Sequence, residues 1–273
     1  MSILDEIVAY KRTEIAAAKE RVSLEELQAA CVDLPRCRNF VKAVTQRHPR
    51  GINVIAEVKK ASPSAGLIRP DFDPVTIART YERCGADAIS VLTDEKYFQG
   101  KLAYVTAVKR AVSLPVMRKE FIVDPYQVYE ARAAGADAIL LIADILPVGE
   151  LSDLMILATQ LSLSVLLEVY SAEVLLQVRS LIGFPEVGYS VLGVNNRDLT
   201  TMTIDIHHTG RMAGLLEEGI NGLVAESGVK TRSDVERLMA AGATAILIGQ
   251  TFCEHHDIAE KFEELFGPPP SEF

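Results

Sequence analysis

From residue 52 onward the chain alternates short, nearly continuous apolar runs with longer segments of helical character. The runs fall at 52–59, 88–93, 115–121, 138–143, 164–169, 191–196, 222–227 and 245–249. Runs of this length, rich in Val, Ile and Leu, read as strands buried on both faces. Alternated with helices, they predict a parallel sheet with helices packed over it. Eight of them predict closure into a (β/α)8 TIM barrel. An open doubly wound sheet is the alternative, but no Gly-x-Gly-x-x-Gly follows the first strand. The glycines near strand ends come late, as in barrels that bind phosphate after strands seven and eight. Three runs arrive behind almost the same phrase: Gly85-Ala86-Asp87-Ala88-Ile89, Gly135-Ala136-Asp137-Ala138-Ile139 and Gly242-Ala243-Thr244-Ala245-Ile246. In each, Gly ends a helix in the left-handed conformation and a short turn feeds the next strand.

Ahead of the barrel, residues 3–30 carry apolar side chains at helical intervals (Leu4, Ile7, Val8, Ile15, Ala18) and read as one or two amphipathic helices. Ser23-Leu24-Glu25-Glu26 has the form of a capping box, so a second helix is expected to start there. The expected organisation is one domain over 1–273, with 1–46 as a helical N-terminal extension. Gly267-Pro268-Pro269-Pro270 reads as a stop followed by a tail.

Composition narrows the function classes. Hydrophobic residues make up 49% and charged residues 24% of the 273, which is ordinary for a globular chain with a sizeable core. Lys and Arg total 28 against 37 Asp and Glu, and the net charge of −9 disfavours a general grip on nucleic acid or on an anionic membrane. An anionic ligand therefore needs a local positive pocket. The apolar stretch 154–167 is too short and too interrupted to span a bilayer, and MSILDEIVAYKR is acidic where a signal peptide is basic, so a cytoplasmic location is expected. Cys31, Cys37, Cys84 and Cys253 have no disulfide or metal spacing and read as reduced, buried thiols. His207-His208 and His255-His256 are neighbours that would point apart on a helix, so no metal site is expected.

Barrel side chains alternate between the interior and the surrounding helices, so residues two apart share a face. Asn53, Ile55, Glu57 and Lys59 share one face of the first strand, which offers the interior a carboxylate and an ammonium at its C-terminal end. On the third strand either Lys119 points inward with Met117 and Phe121, or Arg118 does with Glu120; the apolar company favours Lys119. Glu168 is the single charge after an apolar fifth strand. The sixth presents Asn195 and Arg197 on one face, and the seventh ends Ala225-Glu226-Ser227-Gly228. Any strand turns polar as it meets water. Five strands doing so at one end point instead to the catalytic mouth of such a barrel, which draws residues from several strand ends. Lysines and carboxylates crowded there shift one another's proton affinities and suit proton transfer. Ser227-Gly228 and Gly249-Gln250 allow close backbone approach after strands seven and eight, with a short helix expected near Thr251; a phosphate monoester is the generic ligand.

Four stretches, 57–64 (EVKKASPS), 118–127 (RKEFIVDPYQ), 192–199 (LGVNNRDL) and 225–228 (AESG), closely resemble the motifs of indole-3-glycerol phosphate synthase, and the likeness covers essentially the whole chain. The resemblance implies a (β/α)8 lyase of tryptophan biosynthesis. Such an enzyme converts 1-(2-carboxyphenylamino)-1-deoxyribulose 5-phosphate into indole-3-glycerol phosphate, carbon dioxide and water, without metal or organic cofactor. Its only implied partner is the small phosphorylated substrate; association with other enzymes of the pathway stays open. By position, Lys119 matches the general acid and Glu168 the general base. Glu57 matches a carboxylate that orients the acid and the substrate hydroxyls, and Lys59 a cation for a substrate anion, carboxylate or phosphate. Ser62 lies in the matching loop. Asn195, Arg197, Glu226 and Ser227 match the polar wall, while Gly228, Gly249 and Gln250 match the phosphate-binding backbone, with Leu247 beside them. Phe98 and Phe121 match apolar walls around the anthranilate ring.

The chain also departs from the family pattern. Residues 181–189 are longer than in compact members and are expected to extend the helix-to-strand connection at the bottom of the barrel. Asp144 ends the fourth strand without a role; pointing inward, it would oppose an anionic substrate. A different phosphate-binding barrel, such as a phosphoribosyl isomerase, lacks the need for the Lys59 and Lys119 pairing. A non-catalytic paralogue is the reading from another class. No second barrel follows, so the fused isomerase of some members is not expected.

Overall fold

Along the first strand Val54, Ala56 and Val58 pack among the surrounding helices, while Ile55 joins a separate inner cluster with Met117, Leu140, Leu166, Val224 and Leu247. That alternation places one apolar layer outside the sheet and another inside it. The computed structural model describes residues 2–216, 220 and 222–268. The strands are β1 (Asn53–Val58), β2 (Ala88–Leu92), β3 (Val116–Lys119), β4 (Ala138–Ile142), β5 (Ser164–Val169), β6 (Ser190–Asn195), β7 (Leu223–Glu226) and β8 (Ala245–Ile248). All pair in parallel with their sequence neighbours, and β1 closes the barrel by pairing with both β2 (Ile55 opposite Ala88) and β8 (Asn53 opposite Ala245). Each strand lies within a run expected from the sequence, apart from a one-residue earlier start of β6. A small hairpin, Ala61–Ser62 against Gly66–Leu67, follows β1 and was not expected.

Before the barrel come α1 (Ile3–Arg21), α2 (Leu24–Cys31) and α3 (Phe40–Thr45). Ser23 forms the expected capping box with Glu26, so the extension divides into two helices there rather than running on. The barrel helices are α4 (Pro74–Arg83), α5 (Leu102–Ala111), α6 (Pro125–Ala133), α7 (Val148–Gln160), α8 (Ala172–Val178), α9 (His208–Ala213), α10 (Arg232–Ala240), α11 (Gln250–Cys253) and α12 (Ile258–Phe266). Helices α4 and α6 start alike: Asp73 and Asp124 cap the first turn and a proline fills its first position, where no N–H is needed. Gly267, at φ 81°, stops α12; the tail expected after it lies outside the described residues except for Pro268.

Gly85, Gly135 and Gly242 have φ of 88°, 89° and 89°, as the repeated phrase requires. The residue two further on has a second job. Asp87, Asp137 and Thr244 each give their backbone N–H to a carbonyl at the start of the preceding strand (Val54, Val116 and Leu223) and accept that residue's N–H on the side chain. Half-buried Arg50 and, at 3.8 Å, His48 also meet Asp87, and Lys109 and the Arg38 amide also bond to Asp137.

Residues 179–189 run from a 3-10 turn to the start of β6, at the bottom of the barrel as expected. The four cysteines are free, but only Cys84 and Cys253 are buried; Cys31 and Cys37 are half-buried because α2 and its following loop lie on the outer surface. Among the described residues no cluster could hold a metal ion, and no helix is long and apolar enough to cross a membrane.

Candidate active site

The parity question at β3 resolves in favour of Lys119. Met117 and Phe121 belong to the inner cluster, and the Lys119 ammonium points into the mouth. Arg118 turns outward to Glu130 and the Gln127 carbonyl. The ladder ends at Lys119 rather than Phe121, because the Glu120 carboxylate bonds back to the Phe121 N–H and turns the chain.

At the C-terminal ends of the strands lies a cavity of about 310 Å³. Lys119 Nζ donates to Glu226 Oε2 at 2.6 Å and lies 3.5 Å from Glu168 Oε2 and 3.9 Å from Glu57 Oε2. Lys59 Nζ is 2.5 Å from Glu57 Oε1. The Asn195 amide donates to Glu168 Oε1 at 3.0 Å, and the Arg197 N–H returns to Asn195 Oδ1 at 3.0 Å. Four strand ends thus deliver two ammoniums and three carboxylates, and a fifth the Asn195 amide, to one interlocked group.

Burial works against the Lys119 ammonium, but the charges of Glu226, Glu168 and Glu57 outweigh it and hold its pKa above the ordinary lysine value. Burial, and after it the neighbouring Glu168, push the Glu226 carboxyl up to about 8 against the pull of Lys119. Glu226 Oε1 has no hydrogen-bond partner among the described residues.

Two glycines make room for these carboxylates. A Cβ on Gly193 would stand 2.5 Å from Glu226 Oε1, and one on Gly249 would collide with the carboxylate of Glu57. At Gly249 the approach of Glu57 leaves no space for a side chain, which calls for glycine.

Of the residues expected from the sequence, Glu57, Lys59, Ser62, Phe98, Lys119, Phe121, Glu168, Asn195, Arg197, Ser227, Gly228, Leu247 and Gln250 line the cavity. Glu226 and Gly249 do not. Glu226 was expected in the polar wall, but it is fully buried beneath Lys119, since an inward residue on β7 sits lower than the loop that follows it. Gly249 lies under Glu57. Phe98 and Phe121 face each other with ring centroids 6.0 Å apart. Arg197 reaches across the mouth to Ser64 Oγ at 3.3 Å, linking the hairpin after β1 to the loop after β6. Ser227 and Gly228 have φ of 66° and 94°, and α11 opens at Gln250, one residue before the expected start. The Gln250 side chain donates to Glu254.

Asp144 does not enter the mouth. Its carboxylate accepts the backbone N–H groups of Tyr170 and Ser171 at 2.9 and 3.2 Å, bracing the turn after β5. Sequence reasoning missed Leu4 and Ile7, which reach the cavity from α1, and Lys230, which borders its far end. Helical spacing flagged the first two as apolar; nothing local said what they would cover.

Residues 4–265 match the family described as indole-3-glycerol phosphate synthase. Relatives carrying that name include one from Rhodopirellula baltica, 46% identical over 258 residues, or 94% of this chain and 96% of the relative. Another, from Neisseria gonorrhoeae, is 44% identical and covers 97% of this chain and 99% of the relative. A third, from Acidithiobacillus ferrooxidans, is 46% identical and covers 97% and 98%. Among solved structures, a mutant tryptophan synthase α-subunit from Pyrococcus furiosus superposes with a TM-score of 0.57 at 15% identity, covering 80% of this chain and 98% of that one. Thiamine phosphate pyrophosphorylase, also from Pyrococcus furiosus, gives 0.56 at 15%, covering 79% and 94%; at such identity both likenesses speak for the fold alone. The sequence match, which runs through every strand of the barrel and the helices before it, puts this chain in the indole-3-glycerol phosphate synthase family.

Proposed function

We propose that the barrel mouth carries out its family's ring closure with Lys119 as general acid and Glu168 as general base, acting on 1-(2-carboxyphenylamino)-1-deoxyribulose 5-phosphate. The observation that carries this reading is the Lys119 ammonium, set among the carboxyl groups of Glu57, Glu168 and Glu226 yet open to the cavity. As the carboxylate-bearing ring carbon attacks the ketone carbon, Lys119 gives a proton to the ketone oxygen. The bond to the carboxylate then breaks, carbon dioxide leaves, and its electron pair restores the aromatic ring. Glu168 removes a proton from the carbon between the nitrogen and the new alcohol. The hydroxyl leaves as water with the proton Glu168 has taken, the indole forms, and Lys119 regains its proton from solvent. Asn195 holds one oxygen of Glu168, which fixes the direction in which the other faces.

Glu57 spans both lysines and orients the acid and the substrate hydroxyls. Lys59 and Arg197 supply positive charge to the substrate anions, and Ser62 borders them from the loop after β1. Phe98 and Phe121, packed against each other, offer the anthranilate ring an apolar wall, with Leu247 also lining the cavity. The backbone of Ser227, Gly228 and Gln250 receives the phosphate, with Lys230 at the same end. Residues 1–273 act as one unit in this reading, in which 1–46 closes one side of the mouth.

The test is indole fluorescence with purified protein and this substrate. Lys119→Met and Glu168→Gln are each expected to lower kcat by about 10²–10⁴-fold with unchanged thermal unfolding. A variant that kept most of its rate would remove that residue from its role. A folded wild type that bound substrate without turning it over would leave a non-catalytic binder.

A further inference from the structure

The buried stripe of α1 is Ile7, Lys11 and Ile15, and its middle member is charged. Lys11 is 4% exposed, in a position where helical spacing calls for an apolar residue. Its ammonium lies 2.5 Å from Glu14 Oε2, 2.8 Å from Asp94 Oδ2 and 3.0 Å from Glu120 Oε1. Burial opposes the charge, but Glu120 and Asp94 overcome it and raise its pKa.

The two distant partners stand just beyond the ends of β2 and β3, where the walls of the aromatic slot begin. Asp94 is fully buried, and its other oxygen, Oδ1, accepts the N–H groups of Tyr97 and Phe98 at 2.7 and 3.2 Å. Glu120 accepts the Phe121 N–H on Oε1 and the Thr93 hydroxyl on Oε2. Arg118 approaches Glu120 at 3.7 Å, whereas Lys11 is the only cation within ion-pair distance of Asp94 among the described residues. Four residues before Lys11 on the same face, Ile7 enters the cavity beside Phe98 and Phe121.

We propose that Lys11 is a positioning residue for the aromatic end of the substrate site, its ammonium tying α1 to the loops after β2 and β3 and thereby fixing the separation of Phe98 and Phe121. This rests on reading those two rings as the anthranilate walls. Lys119 depends on the clamp far less. It lies on the strand, where the Thr93 N–H bonds to its carbonyl, and its ammonium is held by Glu226. Phe98 lies beyond the ladder and owes its place to the Asp94 carboxylate, which without Lys11 is a buried, unpaired charge.

Loss of Lys11 therefore affects substrate binding more than the chemical step. Steady-state kinetics of Lys11→Met are expected to show KM raised about tenfold or more with kcat within about threefold of wild type. An unchanged KM in the folded variant, or a fall in kcat alone, would overturn the proposal. Should the methionine variant not fold, Asp94→Asn decides: the amide oxygen still caps Tyr97 and Phe98 but no longer pairs with a cation. KM rising severalfold at constant kcat supports the clamp, and an unchanged KM refutes it. Phe98→Ala separates the two readings. If it leaves KM unchanged, the aromatic slot fails and the proposal with it; if it raises KM while Lys11→Met does not, the clamp alone fails.

Discussion

At the scale of single residues, this site is governed by what is missing as much as by what is present. Gly249 was read as phosphate-binding backbone, and its absent side chain turns out to house the Glu57 carboxylate. Gly249→Ala puts a methyl group against that carboxylate and displaces Glu57 from Lys59 and Lys119. A misplacement near 1 Å in such a group costs about 10²-fold, and kcat/KM of the alanine variant is expected to fall by about that factor with folding intact. A rate near wild type would show that Glu57 need not sit where it does. The identities of Glu57, Lys119 and Glu168 were legible because charges at the ends of apolar strands stand out. The burial of Glu226 was not, because parity gives the face of a strand and not the depth on it.

Between residue and molecule, the repeated Gly-Ala-Asp phrase shows how elements are joined. Its glycine turns the helix into the strand, and its third residue exchanges two hydrogen bonds with a residue at the start of the neighbouring strand. Asp137 is the most heavily committed of the three, fully buried and bonded to the Val116 and Arg38 amides and to Lys109. Asp137→Asn keeps the shape but offers one acceptor where two were used, and leaves Lys109 without its countercharge. We expect a loss of about 2–4 kcal/mol in denaturant unfolding with an unchanged slope. Loss below about 0.5 kcal/mol, the range of ordinary surface changes, would mean that the β3–β4 ladder holds without this joint. The sequence announced the turn, since glycine is required there by sterics. The joint could not be read from it, since the partner of Asp137 is a backbone amide on another strand.

For the whole molecule, the barrel gathers ammoniums and carboxylates at one end above a dry core, and stability is spent at the mouth. The Glu226 carboxyl, raised from an ordinary 4.5 to about 8, favours the folded state when protonated. Its contribution is complete below the unfolded value and is lost as pH rises through about 8. Glu226→Gln removes that dependence, so its stability relative to wild type is expected to improve between about pH 5 and about pH 8, by an amount on the order of 1 kcal/mol or more. Denaturant titrations at both pH values measure it; an equal difference at the two would show that Glu226 ionises normally. The sequence by itself determined the eight-strand alternation, the helical break at Ser23 and the end of the barrel at which chemistry gathers, because periodicity, capping and strand-end charge are local properties. Only the tertiary structure decided that Lys119 and not Arg118 faces the mouth, that Asp144 braces a turn, and that Lys11 meets Asp94 and Glu120. Those outcomes depend on residues separated by as many as 109 positions, brought together by closure of the barrel and the docking of α1, and no pattern along the chain encodes such a distance.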